Sequence, residues 1–178
     1  MGGALSLRPA RHSDAAAIAA IYAYYVLNGP VTFEVDPPSE QDMAGRIAAA
    51  QQGHEFLVAE YDVVVVGYAY AGKLYDRAAY RWAVEASVYV APDRHRQGIG
   101  AALYGDLITI LTARGFQTVI GKITLPNSAS TLLHERFGFR QAGLLSRIGH
   151  KHGLWHDVGI FQLDLGERPK APADPISL

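Results

Sequence analysis

Glu85 lies inside a β-branched and aromatic run, Ala83 to Val90, that reads as a buried strand. A carboxylate is costly to bury there unless it has a partner or a task, and proton abstraction is the task a single strand carboxylate can perform. Arg81, four residues earlier on the same face, is the candidate partner. A little further on, Arg96-Gln97-Gly98-Ile99-Gly100-Ala101 opens an apolar-striped helix. Its Gly-x-Gly puts free backbone N–H groups at a helix N-terminus, where the macrodipole adds positive character and no side chain intrudes. Such a cradle suits a pyrophosphate. It is not a P-loop, because the chain holds no G-x-x-x-x-G-K-[ST]. An anion cradle beside a placed base indicates an enzyme. His150, His152 and His156 raise a metal reading; 150 and 152 would share a strand face, but only Asp157 could complete a set, and no metal is expected.

The elements that would position these residues follow from periodicity and punctuation. Leu5–Pro9 reads as a short strand, and Ser13-Asp14 as the cap of a helix through Ala15–Leu27 that stops at Asn28-Gly29. Pro30 to Pro38 is a loop. Ser39 and Asp42 form a capping box for a second helix, ending at Gly53. Glu55–Tyr61 and Val63–Ala71 are apolar strands around a tight turn near Asp62, and a polar loop leads to the Trp82–Val90 strand. Gly98 to Arg114 is a helix on the spacing Ile99, Leu103, Leu107, Ile110, Leu111. Thr118–Thr124 is a strand and Ser128–Phe137 a short helix. Two last strands, near Gln141–Ile148 and Asp157–Leu165, flank a turn containing Gly and His. The pattern is α/β, a mixed sheet with helices on both faces. Residues 1–165 are expected to form one domain, with 166–178 an extended Pro-rich tail.

Composition narrows the class. The chain has 178 residues, a formal net charge of -1 and no cysteine. Near-neutrality gives no support to a nucleic-acid partner, and the missing thiols exclude disulfides and an acyl-cysteine intermediate. No apolar run approaches a membrane span, and Arg8, Arg11 and Asp14 interrupt the segment where a signal peptide would lie. Met1-Gly2-Gly3-Ala4-Leu5-Ser6 formally matches a myristoylation pattern, although Leu5 to Leu7 read better as a strand. A cytoplasmic enzyme is expected.

Several segments carry a resemblance over nearly the whole chain. They are Thr32-Phe33-Glu34, Phe56-Leu57-Val58-Ala59-Glu60, Gly67-Tyr68-Ala69-Tyr70-Ala71, Ala79-Tyr80-Arg81-Trp82 and Val84-Glu85-x-Ser87-Val88-Tyr89-Val90. Leu125-Pro126-Asn127, Leu133-His134-Glu135 and Lys151-His152-Gly153-x-Trp155-His156-Asp157-Val158 follow in the same order. Together they resemble the GNAT-superfamily N-acetyltransferases, and within them the phosphinothricin / methionine sulfoximine acetyltransferases. The resemblance implies a mostly antiparallel sheet with a central splayed parallel pair, and acetyl-CoA as co-substrate in the V between those strands. Val88, Tyr89 and Val90 would pair with the pantetheine arm, Thr118–Thr124 would be the splayed partner, and Arg96, Gln97, Gly98, Ile99, Gly100 and Ala101 would hold the pyrophosphate.

It further implies Glu85 as general base, directly or through a water, and His134 as the acid that protonates the leaving thiolate. Asn127 would bond the pantetheine arm, its alternative being an ordinary helix cap. Arg77 would bind the acceptor's anionic group; Phe33, Tyr75 and Ser87 complete the expected acceptor contacts, with Glu34 and Tyr89 as further walls. Two departures stand out. His95 replaces the usual Gln or Arg at the start of the loop, and Tyr75 replaces a second basic residue. The loss of a cation at 75 widens the acceptor range from phosphinothricin to methionine sulfone, methionine sulfoximine or another polar amino acid. The implied reaction is direct acetyl transfer to an α-amino group in a homodimer without metal. Other amines (polyamine, aminoglycoside, peptide N-terminus) and a non-catalytic acyl-CoA sensor are the competing readings.

Overall fold

A computed structural model describes residues 4–176; the myristoylation pattern begins at Met1–Gly3, outside the described residues. The elements run β1 (Leu5–Pro9), α1 (Ala15–Asn28), α2 (Glu40–Gln51), β2 (Phe56–Tyr61), β3 (Val64–Lys73), β4 (Ala83–Val90), α3 (Ile99–Ala113), β5 (Thr118–Leu125), α4 (Ser128–Arg136), β6 (Arg140–Lys151) and β7 (Leu154–Asp164). The strands form one seven-stranded sheet in the order β1-β2-β3-β4-β5-β7-β6. All neighbours are antiparallel except β4 and β5, which run parallel.

Each face of the sheet has its own core. On one, Leu103, Tyr104, Leu107 and Leu111 of α3 pack fully buried on Leu57, Ala69, Val84, Ala86, Val119 and Phe161. Burying each such leucine contributes about 2 kcal/mol, so the apolar stripe on α3 anchors the glycine loop at its N-terminus. On the other, Ile18, Tyr22 and Val26 of α1 and Met43 and Ile47 of α2 cover Phe56, Val58 and Tyr68. The capping box of α2 forms as expected: Asp42 N–H donates to Ser39 Oγ and Ser39 N–H to Asp42 Oδ2, each at 3.1 Å.

Two local expectations are corrected. Asp14 does not cap α1 with its side chain; its carboxylate accepts from Arg11 N–H at 2.7 Å and from both terminal nitrogens of Arg8 at 2.7 and 2.9 Å. That doubled pairing holds its carboxyl below the usual range. The last two strands are longer than expected and meet at a two-residue turn, His152-Gly153, with φ of 50° and 77°. The turn preceding β3 has the same form, but uses Asp62 and Val63 at φ 48° and 63°. The Pro-rich tail has no helix or strand among the described residues, and contacts tie it down. Trp82 Nε1–H donates to Ala173 C=O at 2.8 Å, Arg81 pairs with Asp174 at 2.9 Å, and Ile176 exchanges bonds with buried Arg114. The Arg114 guanidinium also donates to the His54 and Gly53 carbonyls, at 2.7 and 3.0 Å.

Candidate active site

The parallel pair sets the site. β4 and β5 pair only at Ala83↔Thr118, Val84↔Val119 and Glu85↔Ile120. Beyond that the strands separate and leave a crevice lined by Val31, Ala86, Ser87, Val88, Tyr89, Lys122, Ile123, Thr124, Asn127, Ser130 and His134. A crevice that opens inside a sheet, rather than at its rim, exposes main-chain groups that an extended ligand can match. Alternation sorts the side chains by face. Val84 and Ala86 belong to the α3 core, so Glu85, Ser87 and Tyr89 face the α1 side, where Tyr89 packs. On β5 the same rule puts Val119, Gly121 and Ile123 toward α3 and Lys122 and Thr124 toward the α1 side.

Glu85 is one-third exposed and takes a hydrogen bond from Lys122 Nζ at 2.6 Å. The partner expected for it, Arg81, instead stacks on Trp82 at 4.3 Å and pairs with Asp174. Strand alternation alone misidentified the partner because the pairing crosses the seam to β5, a neighbour that is distant in sequence.

His134 sits on the opposite, α3 side of the seam, brought there by α4. Asn127 Oδ1 accepts from Ser130 N–H at 3.1 Å and so caps that helix while also lining the crevice. The imidazole is buried against Tyr104, Phe139 and Phe161. Its Nδ1 lies 2.8 Å from the Ser130 carbonyl, and its Nε2 3.0 Å from the Tyr104 hydroxyl. A carbonyl only accepts, so Nδ1 carries the proton and Tyr104 O–H donates to Nε2. Burial pushes the ring's pKa down and the Tyr104 phenol's up, which keeps both neutral. Gly121 makes this seat possible: a Cβ built there meets the ring, with Cδ2 at 2.7 Å and Nε2 nearer still.

The glycine loop has the expected form. Arg96 and Gly98 both take left-handed φ, 62° and 80°, and Gly98 is the N-cap of α3 with no side chain capping it. Gly98 therefore answers to backbone conformation. Gly100 does not: a Cβ there would make only ordinary contacts, 3.6 Å from Val90 and 3.7 Å from Leu133. His95 folds back onto the end of β4. Tyr25 O–H donates to the Val90 carbonyl at 2.5 Å, and His95 Nε2 lies 2.8 Å from that hydroxyl and 3.2 Å from the same carbonyl. The residue that departs from the expected loop pattern thus braces the strand end.

On the acceptor side, the loop between α1 and α2 is clipped to the β6–β7 hairpin. Buried Lys151 donates to the Thr32 carbonyl at 2.8 Å, and the Phe33 ring fills the space above Gly149, within 2.7 Å of where a Cβ would stand. Glu34 is held by Arg46 at 2.7 and 2.9 Å and by Tyr22 O–H at 2.9 Å, and the Arg46 guanidinium keeps its carboxyl below the ordinary range. A cavity of about 560 Å³ between α2 and β2–β3 is lined by Tyr22, Arg46, His54, Tyr70 and Lys73. It adjoins, through Gly53, His54 and Lys73, the depression that contains Tyr75 and Arg77. Tyr75 meets Tyr80 edge-to-face, with ring centroids 4.9 Å apart. The structure therefore gathers Ser87, Val88, Tyr89, Asn127 and His134 around one crevice and puts Tyr75 and Arg77 in a separate depression. No group of three or more metal-ligating side chains is assembled among the described residues. Lys122, Tyr104 and Gly121 are the members that sequence reasoning missed. Lys122 carried a readable signal, a charge inside an apolar strand; Tyr104 and Gly121 carried none.

Comparison with known proteins gives the chain a lineage. Residues 7–160 match the model of the acetyltransferase (GNAT) domain. A phosphinothricin N-acetyltransferase of Streptomyces viridochromogenes is 39% identical over 97% of this chain and 95% of its own length. An L-methionine sulfoximine/L-methionine sulfone acetyltransferase of Pseudomonas paraeruginosa is 36% identical over 94% of this chain and 98% of its own. The crystal structure of a phosphinothricin acetyltransferase from Sinorhizobium meliloti in complex with AcCoA superposes with a TM-score of 0.90 at 40% identity, covering 95% of this chain and 93% of that one.

Proposed function

The chain belongs to the GNAT acetyltransferase family and is an acetyl-CoA-dependent N-acetyltransferase, and on that premise we propose that its acceptor is the α-amino group of a small amino-acid analogue such as L-phosphinothricin, L-methionine sulfoximine or L-methionine sulfone. One observation carries the mechanism: Glu85 and His134 stand on opposite faces of the seam where β4 and β5 part. A nucleophile can then enter from the α1 side while the leaving group departs toward α3. The acceptor ammonium, with a pKa of roughly 8 or above, must lose a proton to become nucleophilic. Glu85 takes it, directly or through a water, once the acceptor has displaced Lys122. The β4 main-chain N–H near Val88 stabilises the developing oxyanion. The Nδ1–H of neutral His134, shared with the Ser130 carbonyl, then hydrogen-bonds the departing sulfur while Tyr104 keeps Nε2 occupied and the ring in place, and the thiolate takes its proton from solvent. A thiol's pKa is about 8.5, so the thiolate leaves fairly well unaided, and we assign His134 only about tenfold to a hundredfold in rate.

Acetyl-CoA supplies the acetyl group as co-substrate. The residues present fit it: the free N–H groups of Gly98, Ile99, Gly100 and Ala101, with Arg96 and Gln97 beside them, suit its pyrophosphate. Val88, Tyr89 and Asn127, which line the crevice, and Val90 at the end of the same strand suit its amide-bearing arm. Phe33 and Ser87 would contact the acceptor, and its anionic end would have to extend past Lys73 into the adjoining depression to meet Arg77 and Tyr75. The exposed apolar surface of the last hairpin, Leu144, Leu145, Ile148, Leu154 and Trp155, supports a homodimer. The test is thiol release from acetyl-CoA with those three amino acids, spermidine, an aminoglycoside and a short peptide. Saturable turnover confined to the amino acids is expected; turnover on the polycations alone would sink the acceptor assignment.

A further inference from the structure

Lys122 places a primary amine on the crevice wall, 2.6 Å from the carboxylate read above as the general base. It projects from the α1-side face of β5, the face from which an acceptor amine must enter. The pairing is not a buried structural bridge: both side chains are about one-third exposed, so its contribution to stability is small. Lys122 thus occupies the position of an acceptor ammonium, hydrogen-bonded to the group that would deprotonate one. Lys151 differs in being buried and committed to the Thr32 carbonyl, and Lys73 pairs with Asp76 in an exposed contact and does not line the crevice.

We infer that Lys122 is itself an acetyl acceptor, so that the protein acetylates its own crevice from acetyl-CoA when no amino acid is present; this rests on the acetyl-transfer reading above. In that step Glu85 takes a proton from the Lys122 ammonium and the freed Nζ lone pair attacks the thioester carbonyl. The N–C bond forms, the C–S bond breaks, the thiolate leaves as coenzyme A and takes up a proton, and the second proton on nitrogen is lost to solvent as the amide forms. No oxidant or further reactant is needed. The product is a neutral amide, so the ion pair to Glu85 is lost with it.

The test uses the purified full chain with acetyl-CoA in mildly alkaline buffer, without acceptor, followed by intact mass and peptide mapping. The expected result is one acetyl increment per chain, mapped to Lys122, absent in Lys122→Arg and slowed by about tenfold or more in Glu85→Gln. A second readout needs no acetyl-CoA. Toward an active-ester acetylating reagent, which needs no base from the protein, Lys122 should react faster in Glu85→Gln than in the parent, because its Nζ is no longer held by the carboxylate. This reversal of sign separates base-assisted transfer from ordinary amine reactivity. Acetylation of Lys122 at the same rate in parent and Glu85→Gln, or no faster than at Lys73 and Lys170, would overturn the inference. Unmodified Lys122 in a preparation that acetylates amino acids would also overturn it and leave the proposed function standing. Absence of both thiol release and acetyl-lysine would remove the parent reading with it.

Discussion

Gly121→Ala adds one methyl group at the point where the fold can least admit it. The imidazole of His134 lies over Gly121, with Cδ2 2.7 Å from the new Cβ, while an ordinary contact is about 3.4 Å or more. The ring cannot simply slide away. It is pinned by Ser130 on one nitrogen and Tyr104 on the other, and walled by Phe139 and Phe161. Forcing a methyl into such a core costs about 1–3 kcal/mol. Tearing the ring from the Tyr104 hydroxyl leaves two buried polar atoms unmatched, about 1–3 kcal/mol more. Against this, replacing a strand glycine regains about 0.5–1 kcal/mol of chain entropy, so the net loss should be about 1–5 kcal/mol. With a urea m-value of about 2–3 kcal/mol per molar, the unfolding midpoint should drop by about 0.3–2.5 M. Gly105→Ala is the matched comparison: it lies inside α3, where a Cβ makes only ordinary contacts with Phe137 at 3.5 and 3.6 Å. That variant should gain about 0.5–1 kcal/mol. If the two variants unfold within about 0.5 kcal/mol of each other, the packing of His134 against Gly121 described above is incorrect.

Gly100→Ala should leave stability unchanged or slightly improved, because its Cβ has room, yet raise the KM for acetyl-CoA about tenfold if phosphate oxygens approach that backbone; steady-state kinetics beside thermal melting separates the two. Val63→Gly should stabilise by about 1 kcal/mol, since a β-branched residue at φ 63° is strained and glycine is not; a midpoint that falls would refute it. Arg114→Met should cost about 3 kcal/mol or more by orphaning the Gly53 and His54 carbonyls and loosening the tail at Ile176, read by urea unfolding and faster proteolysis of the C-terminus. His134 has a folded pKa below its usual value of about 6.5, so the unfolded chain takes up its proton first and native stability falls as pH drops through that value. His134→Gln should flatten this slope between about pH 6.5 and the lower folded value; identical pH profiles would contradict the burial.

The sequence made the strand–loop–helix unit legible because each part has a local physical cause. The apolar stripe from Ile99 to Leu111 requires a helix, Gly98 requires a left-handed start, and Ser39 with Asp42 closes its own capping box. What it hid depends on residues that meet only when the sheet closes. Lys122 and Glu85 are joined across a parallel pair, whose register no hairpin announces. Gly121 reads as an unremarked strand residue until α4 lays an imidazole over it. Asp14 looked like a cap and became the partner of Arg8, because β1 brings that guanidinium within reach. The separation of Arg77 from the crevice residues was likewise invisible, since counting back from Glu85 gives distance along the chain and not which depression a loop enters.

The short parallel pairing has a mechanical consequence. Four strands lie to one side of it and three to the other, with three residue pairs joining them in the sheet and the helices bridging above and below. A ligand arm lying between β4 and β5 would act as a missing rung, extending the ladder from one bank to the other. Amide hydrogen exchange should therefore slow at Ala86–Val90 and Ile120–Leu125 when acetyl-CoA is added, well beyond the residues it touches, and the whole sheet should unfold as one unit where without it the two banks breathe apart.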